Sequence, residues 1–193
     1  MKCYNSKNKK VLSYIIGISL GDGNLSNPNK RATRLRITCD KKYPLLIENI
    51  KKNISIILPE NKVSFVDRKN AIDVSCYSNQ WENILGWKVK NGSKIKQKVK
   101  IPNWIKNNKT YSKECLRGLF QTDGSIYKDR RYLMVNFTSA NYTLIEDTKE
   151  ILEKIKFNTK IRKVTAKNGN IKYVIRISKD VKKFIKKIDL WKN

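Results

Sequence analysis

One stretch occurs twice in this chain, and the repetition constrains the fold more than any other feature. Residues 14–23 read YIIGISLGDG and residues 115–124 read CLRGLFQTDG. Aligned on their Asp-Gly endings, both have a Gly five residues before the Asp (Gly17, Gly118), an apolar residue after that Gly, and Gly or Thr just before the Asp. The two aspartates, Asp22 and Asp123, stand 101 positions apart, so the chain reads as two similar halves. An internal repeat of this kind sets the architecture before any local propensity is weighed.

Each copy is apolar enough to be a buried helix, and each carries small residues four apart, Gly17 with Gly21 and Gly118 with Thr122. That spacing puts the small residues on one helical face, where a second backbone can approach closely. The segments are too short to span a bilayer, so the expected partner of each helix is the other copy. Gly23 and Gly124 then fall where a helix ends in a left-handed residue. Asp22 and Asp123 are left at two helix C-termini, side by side if the helices run parallel. A carboxylate there faces the negative end of the helix dipole, and a second carboxylate adds repulsion. A bound cation explains the arrangement, since hard divalent ions take a few carboxylates plus water and substrate phosphates. For a single copy, turn chemistry after a helix would suffice. Two copies in matching context on a very basic chain favour the cation.

These residues resemble the LAGLIDADG motif, with Ile15–Gly23 and Leu116–Gly124 filling its nine positions. The chain resembles a single-chain, two-motif LAGLIDADG homing endonuclease over nearly its whole length. Leu20 and Gln121 replace the motif's earlier acid, whereas the catalytic position is Asp in both copies. The resemblance implies an α+β fold: a pseudo-twofold repeat of αββαββα, with two antiparallel sheets forming a DNA-binding saddle and the motif helices at the central interface. It implies Asp22 and Asp123 as catalytic and metal-binding residues, with Gly21 and Thr122 beside them at the metal, and Mg²⁺ as cofactor. It also implies Gly17, Gly21, Gly118 and Thr122 as the helix interface.

Charge points the same way. There are 43 basic against 16 acidic residues, a formal charge of +27, so the expected partner is a polyanion. Only nine of the basic residues are Arg, and the excess of Lys beside abundant Asn and Ile suggests AT-biased coding. The absence of His excludes Ser-His-Asp hydrolysis and any imidazole general base. Cys3, Cys39, Cys76 and Cys115 are scattered without a C-x-x-C pair, which argues against zinc and for a reducing compartment. Lys2–Lys10 followed by Val11–Leu20 has the outline of a signal peptide. It lacks an A-x-A-like cleavage site, however, and its apolar run recurs at Leu116, so the expectation is an intracellular protein, in cytoplasm or organelle matrix.

Taken in order, residues 1–90 form the first half, 91–111 a linker and 112–193 the second half. The motif helix should span about Lys10–Leu20, followed by a polar loop from Asn24 to Thr33. Arg34, Arg36 and Thr38 alternate with apolar residues on a strand, placing a basic face where DNA phosphates or base edges could meet it. Tyr43–Ile57 reads as an amphipathic helix with apolar positions at 46, 47, 50, 54 and 57. Lys62–Arg68 and Ala71–Tyr77 are strands, the second turning Ser75 and Tyr77 to the DNA side, and Gln80–Leu85 is a short helix. The lysines at 88–100 read either as a solvated tether over a polyanion or as the source of one active-site lysine, Lys94. Trp104 is expected to anchor the linker by packing.

In the second half a turn at Asp129-Arg130-Arg131 precedes the strand Tyr132–Thr138, which turns Asn136 outward. Asn141–Ile155, with four acids, should face solvent away from DNA. Lys160–Lys167 and Asn170–Ser178 pair around Asn168-Gly169. Arg130, Arg131, Asn136, Arg162, Lys172 and Arg176 are the expected DNA contacts of this half. Val181–Ile188 is the closing helix. So few residues come after it that no counterpart of Lys94 is expected, Lys192 being the one candidate. The resulting expectation is a monomeric, magnesium-dependent endonuclease that breaks both strands of a long asymmetric DNA target, with no membrane partner. The alternatives are an intron RNA maturase and a non-cleaving DNA-binding regulator on the same fold.

Overall fold

The two copies of the repeat become two long helices packed along a seam of missing side chains. A computed structural model describes residues 6–165 and 169–192. Helix α1 (Ser6–Gly21) lies against its counterpart α5 (Lys109–Thr122). At Gly17 an added Cβ would stand 2.2 Å from the carbonyl oxygen of Cys115, and at Gly118 it would stand 2.5 Å from that of Tyr14. Only glycine lets the backbones come this close. Gly21 lies against Thr122, so the helices are parallel and their C-terminal ends meet.

After α1 the first half continues with β1 (Gly23–Ser26), β2 (Arg34–Asp40), α2 (Pro44–Ile57), β3 (Val63–Asp67), β4 (Ala71–Tyr77) and α3 (Trp81–Leu85). The four strands form an antiparallel sheet in the order β1-β2-β4-β3. A 3-10 turn (Val89–Asn91) and α4 (Asn103–Lys106) lead into α5, which begins inside the segment expected as linker. Asn108 caps α5, its side-chain oxygen accepting from the Thr110 and Tyr111 amides. Then β5 (Gly124–Asp129), β6 (Tyr132–Ser139), α6 (Tyr142–Lys154), β7 (Ile161–Thr165), β8 (Ile171–Ile177) and α7 (Val181–Ile188) repeat the pattern. The second sheet has the order β5-β6-β8-β7, antiparallel throughout. The architecture is α+β, two αββαββα halves.

One face of each sheet supplies the core. Leu35, Ile37, Val74 and Cys76 are buried, as are Leu46, Ile47, Ile50, Ile54 and Ile57, the five positions that periodicity marks on α2. In the second half Phe120 of α5 packs on Phe137 of β6 and Phe184 of α7, with ring centroids 5.4 and 5.1 Å apart. The opposite faces carry the alternating polar residues, Arg34, Arg36 and Thr38 on β2 and Asn136 and Arg176 on β6 and β8.

Several expectations are corrected. The loop after Gly23 contains a short strand, β1, which pairs with β2 from Gly23↔Ile37 to Ser26↔Arg34. Polar residues concealed it, because an edge strand with one solvated face needs little apolar pattern. Gly23 and Gly124 do not adopt positive φ. They are small because a Cβ would stand 2.5 Å from Ser19 O and 2.3 Å from Phe120 O, where the chain doubles back over the helix it has just left. Asp147 of α6 does not face solvent. It is buried, accepting from the Ile101 amide (2.7 Å) and from Lys106 Nζ (2.7 Å), and it fastens the inter-half segment to the second half. That segment buries Ile101 and Ile105 completely, while Trp104 stays partly exposed with its ring edge-on to Tyr111. The strand ends at Thr165 and Ile171 pair as a hairpin, with Gly169 at φ +80; Lys167, expected at the end of the first strand, and Asn168, expected at the turn, lie outside the described residues.

Candidate active site

The meeting of the two helix ends gathers four charged side chains. Asp22 directly follows α1, its amide donating to Ile18 O (3.0 Å), and Asp123 follows α5, its amide donating to Leu119 O (3.0 Å). An Oδ of Asp123 lies 3.3 Å from the point where a Cβ on Gly21 would stand. The carboxylate of one half therefore occupies space that the other half leaves open. Lys94 Nζ donates to the carbonyls of Ser19 (3.1 Å), Leu20 (2.8 Å) and Gly21. Lys192 Nζ donates to the carbonyls of Thr122 (3.2 Å) and Gly124. Each half thus ends its motif helix with an aspartate and covers that end with a lysine.

The lysines answer part of the electrostatic problem posed by the sequence. A cation on terminal carbonyls opposes the negative end of the helix dipole, and Lys94 and Lys192 are two such cations. They do not remove the strain entirely. Burial and then the charge of Asp22 push the Asp123 carboxyl up to about 6, against the pull of Lys94, Lys192 and Lys172. Asp22 is also raised, by burial, although both lysines oppose the shift and its outer side stays open to solvent. Burial in turn lowers both lysines, each partly restored by the two aspartates. Among the described residues no group of three or more His, Cys, Asp or Glu could hold a metal. The oxygens available are two carboxylates and nearby carbonyls. The Gly21 and Thr122 carbonyls, placed by sequence beside a metal, each accept from a lysine.

Family comparison assigns both halves. Residues 11–80 match the WhiA LAGLIDADG-like domain, and residues 110–189 match a LAGLIDADG-like domain. The chain is a two-motif LAGLIDADG protein. Solved structures share the fold of this LAGLIDADG protein at low identity. The homing endonuclease I-DmoI, solved in complex with DNA and Mn, superposes with a TM-score of 0.71 at 19% identity, covering 94% of this chain and 97% of that one. I-DmoI has also been solved with DNA and Ca and, as a single-residue variant, with its target DNA and Mg. Full-length DUF199/WhiA from Thermatoga maritima superposes with a TM-score of 0.65 at 16% identity, covering 98% of this chain and 58% of that one. Two curated archaeal proteins contain a similar region. The tRNA-splicing ligase RtcB of Methanopyrus kandleri is 26% identical over 92% of this chain, and the replication factor C small subunit of Methanocaldococcus jannaschii is 26% identical over 96%. The LAGLIDADG chain spans 20% of the first relative and 11% of the second.

The expected DNA contacts lie mostly on the sheet faces opposite the core. Strand register places Arg34, Arg36 and Thr38 in line with Tyr77, Ser75 and Asp73, and Asn136 in line with Arg176 on one side and Ser125 on the other. Arg162 and Lys172 share that second face. Arg130 and Arg131 are exposed in the β5–β6 turn. Among the described residues the Nε atoms of Arg36 and Arg176 and the Oδ1 of Asn136 have no hydrogen-bond partner, so part of their donor and acceptor capacity is unspent. Other residues are committed internally. Thr38 donates to Asp73 (2.6 Å), Arg34 Nε to Ser26 (3.2 Å), and Asn136 Nδ2 to Tyr127 (3.0 Å). Ser75 is only 7% exposed. Asp73 puts an acid on this face. Burial alone would raise its carboxyl, but hydrogen bonds from Thr38 and Arg68 outweigh burial and hold it below the ordinary range. Sequence alone gives Lys192 little weight, yet it carries a signal: Lys192 comes 69 residues after Asp123, much as Lys94 comes 72 after Asp22. No helix among the described residues is long and apolar enough to cross a membrane.

Proposed function

We propose that this protein is a DNA endonuclease that uses a divalent cation to break both strands of a long, asymmetric duplex. The observation that carries the reading is the pairing of two aspartates and two lysines at the joint of two equivalent halves, with a basic sheet face on each side. A regulator that only bound DNA would have no use for two strained carboxylates at this joint. The donor set suits a hard cation. Asp22 and Asp123 would hold it, the solvent-open side of Asp22 gives it access, and so few protein ligands leave room for water and a phosphate oxygen. Such a cation, Mg²⁺ in our reading, would acidify a bound water and act as a Lewis acid on the phosphate.

The remaining chemistry falls to the chain itself. Asp22 and Asp123, one from each half, give each strand its own carboxylate. Lys94 and Lys192, whose amines rest on the carbonyls at the two helix ends, would supply positive charge beside a phosphate held at the aspartates, and the partial exclusion of water strengthens that charge. The arginines on the two sheet faces bind phosphates and read base edges, guanine above all. Because the halves differ in sequence, the half-sites differ too, so the target is not a palindrome. The curated relatives support mobility: two proteins with unrelated names each carry a region similar to this chain, as expected for a module that enters host genes by cutting them. We further propose that it acts as a monomer inside the cell, with 1–90 and 112–193 as its halves.

Selection of cleaved sites from a randomised duplex library, with Mg²⁺ and with EDTA, tests the reading. We expect one long asymmetric site cut only with the metal. Salt-sensitive retention of DNA without cleavage would make the protein a regulator, and preferential retention of structured RNA would make it a maturase. Full activity of Asp22→Asn or Asp123→Asn would refute the catalytic assignment.

A further inference from the structure

Gln121 stands where the repeat motif has its earlier acid, and it is 2% exposed. Its amide is spent in two directions. Oε1 accepts from the Tyr14 hydroxyl (2.8 Å), which itself accepts from Asn49 Nδ2 (2.9 Å). Nε2 donates to the Trp191 carbonyl (2.9 Å), next to Lys192. One line of hydrogen bonds, buried at the Tyr14–Gln121 link and partly buried at either end, therefore runs from α2 through α1 and α5 to the segment that carries the second lysine. The segment is also held by Lys192, which donates to the Thr122 and Gly124 carbonyls, and by Trp191, which packs against the core; the Gln121 bond links it to Tyr14 and Asn49 of the other half. Asp189, in left-handed conformation, meets Arg117 at 3.0 Å but is mostly exposed, and such pairs contribute little. Leu190 is buried and its amide donates to Ile185 O, which ends α7 without aiming Trp191 or Lys192.

Lys94 is held differently. Gln97 closes its loop locally, donating to the carbonyls of Lys88 and Gly92 (2.8 Å each) and accepting from the Lys88 amide (3.0 Å), all near the surface. In the first motif the position equivalent to Gln121 is Leu20, which makes no such bond.

We infer that Gln121 is the positioning residue for Lys192, tying the second active-site lysine to the seam between the halves. The inference rests on the proposed nuclease reading and assigns a role to a departure from the motif. A carboxylate at this position could still accept from Tyr14, but it would repel the Trp191 carbonyl. A misplacement of about 1 Å at a reacting centre can cost on the order of a hundredfold in rate, so loss of the tether should be visible on the strand that Lys192 serves.

The test is Gln121→Glu, which keeps shape and volume, compared with Lys192→Met and with the double variant. Supercoiled substrate and strand-labelled duplex separate nicking of each strand. We expect Gln121→Glu to slow one strand about ten- to a hundredfold, leave the other within about twofold, and add nothing in the Lys192→Met background. Equal slowing of both strands would mean that Gln121 merely supports the seam, and an unaffected rate would leave it no role; either overturns the inference. Hydrogen exchange of residues 190–192 in the free protein gives a readout independent of cleavage. Faster exchange there in Gln121→Glu, with α1 and α5 unchanged, is expected, and equal protection refutes the tether. Should the wild-type protein cut nothing, the nuclease reading fails, while exchange still decides whether Gln121 holds the segment.

Discussion

Replacing Gly17 by Ala tests whether the seam depends on backbone contact. In an ordinary helix interior the change stabilises by about 1 kcal/mol, because Ala has the higher helix propensity. Here the new Cβ would stand 2.2 Å from Cys115 O, 2.9 Å from Cys115 C and 3.1 Å from Cys115 Cα. Ordinary contact begins at 3.4 Å, so α1 and α5 must separate by more than an ångström. The obstacle is helix backbone, and no rotamer can move it aside. Forced repacking of a well-filled interior costs typically about 1–3 kcal/mol, occasionally more. A clash with main chain belongs at the upper end. Subtracting the propensity gain leaves a net loss of roughly 2 kcal/mol, or about 4–8 °C in Tm for a chain of this size. Thermal and urea unfolding followed by circular dichroism measure it directly. Gly86→Ala serves as the control, because nothing lies within 4 Å of its Cβ and only its φ of +79° opposes substitution. Its loss should be about 1 kcal/mol. A Gly17→Ala protein as stable as wild type, or more so, would show that the helices are not in backbone contact.

Asp123→Asn should stabilise the protein in EDTA, and the gain should depend on pH. The carboxyl titrates near 3.8 when unfolded and near 6 when folded, so the folded chain binds its proton more tightly. Stability therefore falls as pH rises from about 4 to 6 and stays lowered above that, a cost of roughly 1–3 kcal/mol that the amide avoids. A Tm difference between variant and wild type that does not grow between pH 4 and 7 would contradict the assignment. Asp147→Ala strips partners from the Ile101 amide and from Lys106, which is largely enclosed. A loss of about 1–3 kcal/mol is expected from denaturant unfolding, because the buried Ile101 amide is left unsatisfied while Lys106 keeps Glu150 at 3.0 Å. Arg36→Ala and Arg176→Ala should each weaken DNA binding. If the side chain meets a phosphate, the salt slope drops by about 1; if it meets a base, discrimination at one position falls by about 1–3 kcal/mol. Titrations at several salt concentrations against matched and mutated sites distinguish the two, and unchanged affinity in both would remove the sheet faces from the interface.

How much of the fold and site was legible in the sequence depends on the range of each interaction. The repeat, the small residues at 17, 21, 118 and 122, the alternation at 34–38 and 132–138, and the apolar stripe of α2 are local periodicities, and periodicity states which face is buried. The two-half architecture and the placement of Asp22 and Asp123 at helix ends come from those patterns. The short strand β1 was hidden because its pairing with β2, rather than its own side chains, holds it. The small size of Gly23 and Gly124 was legible, but its cause was not: crowding by Ser19 and Phe120 exists only once the chain has turned back. Asp147 reads as one more acid on a solvated helix until the inter-half segment is laid against it. Among 34 lysines the sequence offered Lys94 and, with little weight, Lys192, and the tertiary structure put both amines on the carbonyls that end the motif helices. Lys94 and Lys192 are distant in sequence from the carbonyls they meet, and a flexible four-carbon side chain carries no periodicity to announce its partner. The polar line through Asn49, Tyr14, Gln121 and Trp191 is the same case, four residues from four segments whose joining depends on the packing of two helices.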